Sequence, residues 1–115
     1  MSQSNEKLTI LWTSADREVA EKMLFMYALN GKAKKWWQDI TIIIWGPSAK
    51  LLSGDEELKE QLRKAFHLGI VIEACRACSD LYGVTEELEA LGIDVKYMGE
   101  PLTSLIKEKA NMITL

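Results

Sequence analysis

Short runs of β-branched and aromatic residues alternate along the chain with longer stretches of helical spacing. Leu8 to Thr13 reads as a first strand. Ser14 then serves as an N-cap, with Asp16 and Glu18 in the first helical turn, where carboxylates suit the helix dipole. Val19, Met23, Met26, Tyr27 and Asn30 follow at helical spacing, and Gly31 reads as the stop. Ile40 to Trp45 is a second strand, apolar on both faces, as a strand sheltered by helices should be. Gly46-Pro47 ends it, and a short helix fits Ser48 to Leu52. Asp55 caps a helix running to about His67, with Leu58, Leu62, Ala65 and Phe66 as its inner stripe. Gly69 to Ala74 is the third strand.

Cys75 to Gly83 follows as one or two helical turns closed by Gly83. Thr85 caps another helix, whose Leu88 and Leu91 face inward before Gly92 ends it. Ile93 to Met98 alternates apolar and polar, the mark of a half-exposed strand at a sheet edge. Glu100-Pro101 opens a last helix, and Asn111 to Leu115 is a final short strand. The order β-α-β-α-α-β-α-α-β-α-β implies parallel pairing through right-handed crossovers. The expected fold is therefore α/β, a three-layer α/β/α domain over residues 1–115 with a mainly parallel five-stranded sheet. Residues 1–6 are expected to be flexible.

Composition narrows the function. The chain has 115 residues, 48% hydrophobic and 27% charged, enough for one core without metal or disulfide staples. Its formal charge of −3 does not suit neutralising phosphates, so no direct nucleic-acid binding is expected. Lys32-Ala33-Lys34-Lys35-Trp36-Trp37 mixes basic and aromatic residues. In an acidic chain it reads as solvated lysines with tryptophans closing over the second strand or filling an oligomer contact. No apolar run approaches a bilayer span, and the polar start is no secretory signal, so membrane association is not expected and the cytoplasm is.

Ligands of open parallel sheets sit beyond the carboxyl ends of the strands. Those ends carry Ser14, Gly46-Pro47-Ser48, Cys75 and Met98-Gly99. Cys75 is the strong nucleophile among them. A thiol at the first turn of a helix feels partial positive charge, which favours the reactive thiolate, and Arg76 adds a cation nearby. The competing reading makes Cys75 and Cys78 small buried hydrophobes. A thioredoxin-type pair would follow the first strand of its fold and be accompanied by an aromatic and a Gly-Pro; here Arg76-Ala77 intervenes after the third strand. Zinc would need ligands beyond two cysteines and His67, so no metal is expected. His67 suits a helix C-terminus better than catalysis. No phosphate loop or dinucleotide fingerprint occurs, and no cofactor is expected.

Cys75-x-x-Cys78-x-Asp80-x-x-Gly83-Val84, placed straight after an apolar strand, resembles the motif of the DsrE/DsrF-like family, especially its YchN-like branch. The resemblance extends to the opening strand, the apolar second strand, Gly92-Ile93-Val95 and the closing Asn111 to Leu115. It implies a flavodoxin-like, DsrEFH-like α/β fold, trimers or hexamers, and sulfur metabolism. In the relay members, such as the Tus-type proteins of tRNA thiolation, a cysteine matching Cys75 carries a persulfide between donor and acceptor proteins. Cys78 departs from those members and is shared with the YchN-like branch.

Three readings follow. The first is a sulfur carrier or sulfurtransferase-like protein with its persulfide on Cys75. Cys78 resolves the persulfide or packs beside it, with Arg76, Asp80, Ser14 and Gly46 in support. The second is a thiol–disulfide redox module using both cysteines. The third is a structural or regulatory oligomer whose thiols are inert.

Overall fold

Strand β1 (Lys7–Trp12) buries Leu8, Ile10 and Trp12 on one face. Strand β2 (Asp39–Ile44) does the same with Ile40, Ile42 and Ile44, and also buries Ile43 on the other face. Strand β3 (Val71–Cys75) contributes Ile72 and Ala74 to the first face, and β4 (Asp94–Lys96) contributes Val95. With β5 (Met112–Thr114) they form one sheet ordered β4-β3-β2-β1-β5, in which every pairing is parallel. The computed structural model describes residues 6–115, so the expected flexibility of the N-terminus falls, except for Glu6, outside the described residues.

The direction of the steps across the sheet dictates the layers. β1, β2, β3 and β4 advance one way, so right-handed crossovers put their connecting helices on the first face. These helices are α1 (Arg17–Val19), the π-helical turn Ala20–Phe25, α2 (Met26–Ala33), α3 (Pro47–Ser53), α4 (Glu56–His67), α5 (Arg76–Tyr82) and α6 (Thr85–Ala90). The step from β4 back to β5 runs the other way, which sends α7 (Gly99–Lys107) to the second face. The result is the expected α/β/α sandwich, but with unequal layers. Among the described residues a single nine-residue helix covers the second face.

The main core lies on the first face, where Leu24, Phe25, Leu58, Leu62 and Leu88 pack on the strands. Phe25 meets Trp12 edge-on, with ring centroids 5.7 Å apart. Asp55 caps α4 as expected, accepting from the Leu58 amide at 3.0 Å. It also accepts from Arg17 Nε at 2.8 Å, tying the first helix to the fourth. His67 ends α4, as expected.

Several local expectations differ. Asp16, not Ser14, is the first N-cap: its carboxylate accepts from the Glu18 and Val19 amides, while Ser14 Oγ accepts from the Asp16 amide. Gly31 does not stop its helix, which runs on to Ala33. A Cβ there would meet side-chain carbons of Ile40 and Trp37 at 3.5 Å, ordinary van der Waals contact, so this buried helical position is not reserved for glycine. Thr85 begins α6 after the cap position Val84, and its hydroxyl instead reaches back to Ser79 and Asp80. Trp37 closes over the core and donates to the Tyr27 hydroxyl at 3.0 Å, whereas Trp36 stays half-exposed under Lys34. Among the described residues no helix is long and apolar enough to cross a membrane.

Candidate functional site

Cys75 has two structural duties. It is the last residue of β3 and the N-cap of α5, with extended dihedrals of −73° and 115°. Strand alternation puts Val71, Glu73 and Cys75 on the second face, opposite Ile72 and Ala74. Cys75 is 4% exposed. Cys78 stands at the third helical position of α5, so its side chain returns over the cap, and it is half-buried. Both cysteines are free thiols, and they pack in the same apolar cluster. The Gly46 backbone amide lies where it favours the Cys78 thiolate. Burial, and then the contact with Cys75, push the Cys78 thiol above its ordinary range, with the Gly46 amide opposing them.

The pair belongs to a second, smaller core on the far side of the sheet. Ile43 and Met98 are fully buried beside Cys75, and Leu11, Trp45 and Leu105 pack around them. Leu105 comes from α7, so that lone helix serves to roof the thiols. The location follows from topology. Cys75 is in register with Lys96, so β3 and β4 end side by side, yet their following helices leave toward opposite faces. Such a switch point opens a crevice at the carboxyl ends of the strands.

Three of the residues singled out from sequence come together here: Cys75, Cys78 and Gly46. The other three serve elsewhere. Arg76 turns its guanidinium to Glu89 at 3.1 Å and to the Val95 carbonyl at 3.3 Å, binding α5 to α6 and β4. Asp80 accepts from the Thr85 hydroxyl and joins α5 to the start of α6. Ser14 holds the exit of β1, its amide donating to the Leu115 carbonyl at 3.2 Å. Glu73 pairs with Lys96 at 2.8 Å. Trp45, part of the second strand as read from the chain, lies just past β2 and packs on the second core beside the thiols. Parity could have found it, since Ile43 and Trp45 alternate with the core-facing Ile42 and Ile44. The arrangement can do sulfur chemistry: accept a sulfur atom, form a disulfide, or bind a thiophilic ion.

The fold is the three-layer α/β/α arrangement also found in YchN-like structures, and the two cysteines stand at its switch point. The ychN protein of E. coli superposes with a TM-score of 0.71 over 96% of this chain and 99% of its own, at 13% identity. MTH1491 of Methanobacterium thermoautotrophicum, a protein of unknown function, superposes with a TM-score of 0.75 over 95% and 98%, at 18% identity. At those identities the likeness concerns the fold. The chain belongs to the same family as BT1422 of Bacteroides thetaiotaomicron, a conserved protein of unknown function. The two are 41% identical over 100% of this chain and 99% of that one, with a TM-score of 0.97. No family model and no curated protein matches the chain.

Proposed function

We propose that this protein is a DsrE-like sulfur carrier that holds sulfane sulfur as a persulfide on Cys75. The observation that carries the reading is the packing of a buried Cys75 against a more open Cys78 in one apolar cluster, where burial favours the protonated form of Cys78. A thiol, unlike a thiolate, is a poor nucleophile and a hydrogen-bond donor. Cys78 therefore steadies the sulfur on Cys75 instead of attacking it. The loading step is Cys75–SH + R–S–SH → Cys75–S–SH + R–SH, with R a donor protein. The unloading step passes the outer sulfur to an acceptor thiol and regenerates Cys75–SH. Partners approach past Cys78, the more open side of the pair. Free thiols suit a reducing compartment, and the cytoplasm is the setting we propose.

The same packing favours a second reading, thiol–disulfide exchange between Cys75 and Cys78. Mass spectrometry after incubation with a persulfide donor, on wild type, Cys75→Ser and Cys78→Ser, separates the two. Carriage predicts a labile added sulfur on Cys75 that survives in Cys78→Ser. Loss of two hydrogens across the pair, with no added sulfur, would overturn carriage in favour of exchange.

A homo-oligomer, trimer or hexamer, is part of the proposal. The thinly roofed second face supports it, because Val71, Tyr97 and Ile106 are 51%, 69% and 61% exposed there or at its margin. Light scattering on wild type and Val71→Glu tests it. A wild-type monomer would refute it.

A further inference from the structure

Among the described residues no group of three or more histidine, cysteine, aspartate or glutamate side chains is placed to hold a metal ion. A closed zinc site, which takes four ligands, therefore finds no complete set among the described residues. Ions that are content with two ligands are a different matter. Soft d10 monovalent cations choose thiolate over nitrogen and oxygen, and two sulfurs suffice for linear coordination. We propose that Cys75 and Cys78 form a two-thiolate site for a soft monovalent cation of the Cu(I) or Ag(I) class.

Three features of the pair argue for it. The two cysteines stand at the cap and the third position of one helix and pack in one cluster, so both reach a single ion with little movement of the chain. The walls are apolar and hold a further sulfur residue, the fully buried Met98, with Ile43 and Trp45. Such walls reject a strongly hydrated ion and tolerate a polarisable one. The hard oxygen ligand on the same strand face, Glu73, is occupied by Lys96 at 2.8 Å.

The binding step balances as Cu⁺ + 2 R–SH → [Cu(SR)₂]⁻ + 2 H⁺, with copper remaining Cu(I) throughout. Half-exposed Cys78 meets the incoming ion first, and Cys75 closes the coordination from below. The site uses the same thiols as sulfur carriage but none of its chemistry. Metal titration contains no sulfane sulfur and persulfide loading contains no metal, so failure of one leaves the other standing.

The test is an oxygen-free titration of the reduced full chain with Cu(I) against bicinchoninate, whose coloured Cu(I) complex reports withdrawal of the ion. One equivalent should be withdrawn per chain, with two protons released near neutral pH. Ag(I) should displace it at the same stoichiometry, and Zn(II) should not. Cys75→Ser and Cys78→Ser should each weaken binding by more than the roughly 10–100-fold that loss of an outer-shell partner brings. Circular dichroism checks that both variants fold. Absence of withdrawal by wild type with both thiols countable by dithionitrobenzoate would overturn the proposal. So would undiminished binding in either serine variant, or Zn(II) held as tightly as Cu(I).

Discussion

Gly46 links the backbone to the thiols, and its replacement by alanine makes a sharp test of how the site is held. Its dihedrals are 72° and −136°, close to a region open essentially only to glycine. Among the described residues nothing lies within 4 Å of where a Cβ would stand, so crowding plays no part and the cost is backbone strain alone. Gly83 supplies the control. It has 69° and 31°, ordinary left-handed geometry, and its Cβ position is equally open. An L-residue in that conformation costs about 1–2 kcal/mol. The Gly46 conformation should cost about 3 kcal/mol, the upper end for such strained positions. Each kcal/mol is worth about 4 °C or more in Tm for a domain of this size, so Gly46→Ala should lower Tm by about 12 °C and Gly83→Ala by roughly half that. Urea denaturation and thermal scans on reduced protein measure both. Gly46→Ala should also displace the amide that favours the Cys78 thiolate and so raise the midpoint for alkylation of that thiol further, which Gly83→Ala should not. Equal losses of stability in the two variants, or an unmoved Cys78 midpoint in Gly46→Ala, would refute the reasoning.

Further outcomes follow from the same geometry. The rate of Cys78 alkylation should rise with pH about a midpoint above the free-thiol value of about 8.5, because burial and Cys75 favour the protonated form. That group's contribution to stability is whole below the free-thiol value and is lost as pH rises through the raised folded value. Wild type should therefore lose more alkaline stability than Cys78→Ser in urea melts taken across that range. Asp55 is displaced the other way, held below the ordinary carboxylate range by the Leu58 amide and by Arg17. Its contribution is present above about pH 3.9 and is lost as pH falls through the depressed value. Asp55→Ala should remove about 1 kcal/mol at neutral pH through the lost cap, and the difference from wild type should shrink in acid melts. Leu62→Ala, at a fully buried position of α4, should cost about 2–5 kcal/mol in urea denaturation with the m-value unchanged.

The alternation of elements and the place of the cysteines were legible in the chain because both rest on local rules. Ile40 to Ile44 can only be a sheltered strand, and an apolar strand running into Cys75 puts a thiol where a parallel sheet opens. What escaped was decided by distant partners. Ser14 and Asp16 are equally good caps, and the choice fell to Asp16 because the Ser14 amide is held by the Leu115 carbonyl, a contact from the neighbouring strand β5, far along the chain. Gly31 reads as a stop by propensity, and packing on Ile40 and Trp37 overrides it. Arg76 stands next to the thiol in sequence, but Glu89, thirteen residues on, claims its guanidinium. The uneven layers were written in the strand order, which the chain does not reveal until β5 is seen beside β1 instead of β4.

That strand order also governs how the molecule is made. β1 is an interior strand whose neighbours are β2, which follows soon, and β5, whose Ile113 is in register with Ile10. While the intervening residues are synthesised, β1 has one flank without a mate. Pairing between such distant segments is slow, and a bare apolar strand flank is a template for other chains. Docking of β5 is therefore the event that takes this chain out of danger of aggregation, and conditions that delay it should show up as losses in refolding yield before any loss in the stability of the finished fold.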